Sequence, residues 1–187
     1  MQKIPTLFLR DENDRAHVTL ELNPECEWVV RGEGVATRKY DGTCVMLDED
    51  GDWWARREVK KNGNFPTHFI TEDFDPVTGK TQGWEPIETS GFNKFFGEAF
   101  HYGGRSFTPG TYELVGPKIN GNPENYISHA LIKHENAMIL NGVPLKYPLL
   151  IQQFVFSLPP GWEGIVWHHP DGRMAKLKRK DILLKGD

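Results

Sequence analysis

Lys39 stands in the stretch Arg38-Lys39-Tyr40-Asp41-Gly42-Thr43, and a lysine so placed can serve as a nucleophile toward phosphorus or carbonyl carbon. It attacks only when deprotonated, and its ordinary pKa near 10.4 forbids that at neutral pH. Burial and neighbouring cations lower the value, so an attacking lysine needs other basic groups or a metal beside it. Gly42, three positions on, is expected to let the backbone approach a bulky ligand closely. Taken alone, Lys-x-Asp-Gly is common and equally describes a solvated turn with Asp41-Gly42 at its tip.

Three later clusters change the balance. Trp53-Trp54-Ala55-Arg56 follows within one hairpin, which is expected to bring Arg56 back toward Lys39. Tyr112-Glu113-Leu114-Val115-Gly116 puts a carboxylate inside an apolar strand, where it is costly unless paired or in contact with a ligand. Glu163-Gly164-Ile165-Val166-Trp167 and Lys176-Leu177-Lys178 come last. Alternation along a strand projects Lys176 and Lys178 from one face, and an anion such as triphosphate would relieve their repulsion. A nucleophilic lysine, an arginine, two carboxylates and a lysine pair suit adenylyl transfer. The basic groups would neutralise the α-phosphate and the departing pyrophosphate. Glu113 and Glu163 could hold Mg²⁺ (or Mn²⁺), directly or through water, or contact ribose hydroxyls.

The elements that must position these residues are mostly short alternating runs. Residues 44–47, 53–56, 111–115, 149–156, 163–168 and 173–178 are expected to be strands, with turns at Asp50-Gly51-Asp52, Asn62-Gly63-Asn64, Asn120-Gly121-Asn122-Pro123 and Asp171-Gly172. Residues 126–140 are the main helix expected, with a shorter one at 93–101. This pattern predicts one α+β domain over 1–187, built on two antiparallel sheets with flanking helices. No Walker-type or G-x-G-x-x-G phosphate loop is present, so ATP would be held by other means.

Composition agrees with a globular protein: 187 residues, 38% hydrophobic and 26% charged. The net charge of −4 counts mildly against a nucleic-acid binder, although basic residues gather at 56–61 and 176–180. Cys26 and Cys44 make neither a disulfide framework nor a metal cluster. No secretory leader or long apolar run is evident, and an intracellular, cytoplasmic location is expected. His168-His169 lack a further ligand at zinc-site spacing, and His129 and His134 are read as surface or local structure. Trp53, Trp84 and Trp162 are read as packing residues.

In order, Lys-x-Asp-Gly, Arg, Glu, Glu-Gly-Ile-Val and Lys-x-Lys resemble the motif series of the covalent nucleotidyltransferase superfamily of DNA ligases, RNA ligases and mRNA capping enzymes. More closely, Lys39-Tyr40-Asp41-Gly42-Thr43-Cys44, Trp54-Ala55-Arg56, Gly83-Trp84-Glu85-Pro86, Ile119-Asn120-Gly121-Asn122-Pro123 and Glu163 to His168 resemble the animal-type 5′-to-3′ RNA ligases and their small viral and microbial relatives. The resemblance runs from about residue 35 to residue 182. It implies a ligase adenylylation domain in which Lys39 forms lysyl-AMP from ATP. Arg56 would contact the AMP phosphate or the RNA 5′-phosphate, Glu113 the ribose, and Glu163 the metal. Lys176, with Lys178, would bind the α-phosphate, and Asn120 would contact base or ribose. The RNA would carry a 5′-phosphate and a 3′-hydroxyl.

Two departures refine this. Many DNA ligases have arginine where this chain has Cys44, which disfavours a DNA ligase, and the animal enzyme has histidine at the position of Lys178. The nine residues after Lys178 leave no room for an OB domain, so the RNA grip is expected from the domain itself. Lys178, Arg179, Lys180 and Lys185 would contribute, or an accessory protein would replace the missing part. The alternatives are a capping-type guanylyltransferase and a non-catalytic nucleotide- or RNA-binding module derived from a ligase domain.

Overall fold

The computed structural model describes residues 3–103 and 107–183. In chain order the strands are β1 (Phe8–Arg10), β2 (Val18–Leu22), β3 (Val35–Lys39), β4 (Thr43–Leu47), β5 (Trp53–Val59), β6 (Ile70–Asp75), β7 (Lys80–Pro86), β8 (Gly110–Val115), β9 (Ala130–Lys133), β10 (Gly164–His168) and β11 (Met174–Lys178). The helices are α1 (Glu27–Val30), α2 (Asn93–Gly103) and α3 (Pro148–Ser157). The fold class is α+β with antiparallel sheets. No helix among the described residues is long and apolar enough to cross a membrane.

The chain divides into two compact units, one holding Asp41–Asn136 and the other Ile4–Tyr40 with the segment from Ala137 onward. The first boundary therefore cuts the Lys-x-Asp-Gly motif between Tyr40 and Asp41. The first unit is a six-stranded sheet in the order β6-β7-β5-β4-β8-β9. One face carries Val45, Ala55, Tyr112 and Leu114, and these form a core with Phe96 and Ala99 of α2. Alternation sends Cys44, Met46, Trp54, Arg56 and Glu113 to the other face. The registers agree, since Cys44 opposes Glu113, Met46 opposes Trp54, and Arg56 opposes Trp84.

The second unit holds a three-stranded sheet, β11-β10-β3, and the ribbon β1-β2, which was not anticipated. Ala36, Ile165, Trp167, Ala175 and Leu177 turn inward onto Ile151 and Val155 of α3. Thr37, Lys39, Lys176 and Lys178 belong to the opposite face.

Two expected elements are corrected. Residues 149–156 are helical, not extended. Pro148 occupies the first turn, where its missing N–H costs nothing, and Ile151, Val155 and Leu158 bury at helical spacing. Residues 126–140 form no helix; instead β9 adds to β8, pairing Ile132 with Glu113, and a short 3₁₀ turn follows at His134–Asn136. Ile127, placed in the helical stripe by sequence, is fully exposed. A short apolar run serves either structure, and pairing with β8 decides it.

Candidate active site

In the second unit, β10 runs between β3 and β11, and Gly164 pairs with Lys39 on one side and Lys178 on the other. A Cβ at Gly164 would lie 2.1 Å from the Leu177 carbonyl oxygen, so only glycine fits there. The two lysine side chains converge on Glu163. Lys39 Nζ lies 2.5 Å from Glu163 Oε2, and Lys178 Nζ lies 2.5 Å from Oε1. Burial of Glu163 opposes its ionisation, but the charges of Lys39 and Lys178 outweigh it and hold the carboxyl below the usual range.

Lys176 sits one row along, opposite Val166. Burial first, then the charges of Lys178 and Lys39, push its ammonium down to about 8. Thr37 Oγ1 donates to the Val166 carbonyl and lies 3.0 Å from His168 Nε2. His169 instead pairs with Glu33 and Asp171.

The basic tail is partly committed to the fold. Lys178 is bound to Glu163, and the Arg179 guanidinium donates to the carbonyls of Leu158 and Pro159. Lys180 is exposed, and Lys185 lies outside the described residues.

In the first unit, Glu113 is buried and paired, as a carboxylate on an apolar strand requires. Its Oε1 accepts from the Gly42 N–H at 3.0 Å, and its Oε2 lies 2.9 Å from His134 Nε2. The other ring nitrogen of His134 is 2.9 Å from Thr111 Oγ1. The rest of the Asp41-Gly42 backbone is held by the loop after β8. Glu124 Oε1 accepts from the Asp41 N–H at 2.9 Å. Asn120 Nδ2 donates to Asp41 Oδ1 at 2.9 Å and to the Gly42 carbonyl at 2.8 Å. Asn120, Gly121 and Asn122 all have positive φ, which turns the Asn120 amide onto the motif.

This arrangement gives two residues roles that sequence did not. Asn120 clamps the motif's own backbone through its amide. Gly42 is required by its approach to β8: a Cβ there would lie 2.3 Å from the Leu114 carbonyl and 2.9 Å from Glu113 Cγ. Gly42→Ala should therefore cost about 1–3 kcal/mol of stability, read as a lower denaturation midpoint. An unchanged midpoint would contradict this packing.

Arg56 stands over the Trp84 ring, its guanidinium carbon 6.0 Å from the centroid, and the Trp84 indole donates to Glu72. Trp84 and Trp53 are packing residues as expected, Trp53 lying against Phe96 and Tyr112. Sequence reasoning passed over Glu124, which gives no local signal, and the pairing of His134 with Glu113. Had β9 been recognised, alternation from Ile132 would have put His134 beside Glu113. Among the described residues no group of three or more His, Cys, Asp or Glu gathers as a metal site.

A family model described as RNA ligase 1 matches residues 105–186. RNA ligase 1 of Rattus norvegicus is 27% identical over 219 residues, covering 80% of this chain and 67% of that protein. RNA ligase 1 of Mus musculus is 28% identical with the same coverage. RNA ligase 1 of Pongo abelii is 40% identical over 79 residues, which are 40% of this chain and 24% of that protein.

Proposed function

From the relationship of this chain to the RNA ligase 1 proteins of animals, we propose that it is an ATP-dependent RNA ligase that carries AMP on Lys39. The observation that supports this most is the group of Lys39, Lys176 and Lys178 around the Glu163 carboxylate, with Asp181, near Lys176, already ion-paired to Arg10. With Asp181 offset by Arg10, the three ammonium groups face the one remaining carboxylate of Glu163 and leave an excess of positive charge suited to a polyphosphate.

The reaction has three displacements. Lys39 Nζ, once deprotonated, attacks the α-phosphorus of ATP; an N–P bond forms and the bond to pyrophosphate breaks. An oxygen of an RNA 5′-phosphate then attacks the same phosphorus, and the N–P bond breaks to restore Lys39. Finally a 3′-hydroxyl attacks the activated 5′-phosphate, closing the phosphodiester and releasing AMP. Such steps need alignment and charge neutralisation more than acid–base help.

Lys176 and Lys178 would hold the phosphates, Arg56 the AMP phosphate or the RNA 5′-phosphate, and Glu113 the ribose. Glu163 would offer Mg²⁺ or Mn²⁺ a carboxylate oxygen, directly or through water, once Lys39 turns from Oε2 toward the α-phosphate. The metal would supply neutralisation of phosphate charge. Glu113 already accepts from Gly42 and His134, and its remaining lone pairs fit a ribose hydroxyl better than a second metal site. Asp41 and Gly42, which follow the nucleophile in sequence, are themselves held by Asn120, Glu124 and Glu113.

Incubation with ATP labelled on the α-phosphate, followed by denaturing electrophoresis, tests the first step. Wild type should retain label, and Lys39→Ala and Lys39→Arg should not, because guanidinium does not deprotonate. Absence of label on wild type, or its persistence in Lys39→Ala, would sink the proposal. GTP in place of ATP reads out the guanylyltransferase alternative, and sealing of RNA against nicked DNA separates the two kinds of ligase.

A further inference from the structure

Arg38 immediately precedes Lys39, and its register partner is Ile165, on the face turned toward the second unit's core. The Arg38 guanidinium carbon lies 4.3 Å from the ring centroid of Tyr40 and 4.1 Å from that of Trp162. Trp162 is itself packed against the core of that unit. The stack is therefore made of the sequence neighbours of two site residues: Arg38 and Tyr40 bracket Lys39, and Trp162 precedes Glu163.

We propose that this stack is a positioning device for the lysine. Residues on either side of a strand position point to the face opposite it, so fixing 38 and 40 fixes the Cα–Cβ direction of 39. Fixing 162 on the same guanidinium ties the start of the Glu163 segment to that strand from behind. The tie lies on the far side from the ammonium and carboxylate groups, so it survives when Lys39 leaves Glu163 to bond with phosphorus. It returns the lysine to one place on every turnover. A planar guanidinium can lie against two rings at once, whereas the compact ammonium of lysine cannot. Arg38, Tyr40 and Trp162 are positioning residues; none is assigned to the substrate.

The inference rests on Lys39 accepting AMP, so its test uses the full chain and the rate of adduct formation as ATP is varied. Arg38→Leu and Trp162→Leu should each lower the maximal rate about 10- to 100-fold, since misplacement by an ångström costs that much. Half-saturating ATP should stay within about twofold, because the phosphate-binding lysines are untouched. Trp162→Phe keeps a ring and should retain most of the rate, with Arg38→Lys falling between. These two conservative variants keep the test open if the leucine variants fold poorly. The double variant Arg38→Leu/Trp162→Leu should be no slower than the slower single one, as expected for one shared interaction. A wild type that labels normally while Arg38→Leu labels at the same maximal rate would overturn the proposal. So would losses confined to half-saturating ATP, or losses that multiply in the double variant. A wild type that takes no label overturns the ligase reading and this inference together.

Discussion

Glu163→Gln should lose about 3–5 kcal/mol of stability and about 100-fold or more in adduct formation. Glu163 is the partner of both Lys39 and Lys178, each within 2.5 Å, and its side chain is only 7% exposed. Removing the shared partner of a buried ion cluster leaves its cations uncompensated, which costs far more than the net contribution of the pair. Against a total stability of about 5–15 kcal/mol, a loss of that size should appear as a large fall in the urea midpoint. The second change should recover part of it: in Glu163→Gln/Lys178→Met one of the stranded cations is gone. A midpoint shift below about 1 kcal/mol, or a double variant weaker than the single one, would show that Glu163 does not hold the lysines. The catalytic loss would have a separate cause, because the lysine loses the group that aligns it and, under the proposed function, a metal would lose a ligand.

Lys176→Met should reduce adduct formation about 100- to 1,000-fold while making the folded protein more stable at pH 7. Loss of one preorganised charge opposite a reacting phosphate typically costs that much in rate. The stability gain follows from the environment of Lys176, where burial and then Lys178 and Lys39 push the ammonium from 10.5 down to about 8. Between those two values the unfolded chain binds more protons than the folded one, so wild-type stability rises with pH across that window. Below about 8 the penalty is at its full size. The advantage of Lys176→Met over wild type should therefore be largest near pH 7 and shrink between pH 8 and pH 10. Denaturation midpoints of the two proteins across that range check it, and a constant gap or a less stable variant would contradict it. A group that destabilises the fold it sits in is a hallmark of a site shaped for a ligand.

The strands that carry Arg56, Glu113, Lys176 and Lys178, and the one that begins directly after Glu163, were legible in the sequence, whereas the strand Val35–Lys39 that carries the candidate nucleophile was not. Their polar residues sit in alternating or apolar runs closed by Gly-containing turns, and period-2 patterning is a local property. The pairing of Lys176 with Lys178 on one face followed from the same alternation. Two segments were misread, one against its own local signal and one for want of a contact with a distant strand. The 149–156 run was read as a strand because of its unbroken apolar residues, although Pro148 and the spacing of Ile151, Val155 and Leu158 carried the helical signal. The 126–140 segment has acceptable helix formers, and only the edge of β8 makes part of it a strand.

At the site, residue types were readable but partners were not. The expectation for Asn120 was a contact to base or ribose; its amide donates to Asp41 and Gly42, partners that no local pattern marked, because a run of positive-φ residues turns it there. Arg38 and Trp162 had no motif to mark them, yet each immediately precedes a position that does, Lys39 and Glu163. Arg179 looked like part of a nucleic-acid grip, and its guanidinium caps the carbonyls of Leu158 and Pro159.

The central claim is that Lys39 accepts the AMP, and Lys176 offers a rival on simple acidity, its ammonium lying at about 8. Peptide mapping of the chain after incubation with α-labelled ATP and magnesium distinguishes the two directly. The account predicts one acid-labile adenylyl group, on the peptide containing Lys39, with Lys176 unmodified. An adduct on the Lys176 peptide, or none on wild type under conditions where ATP is bound, would contradict it.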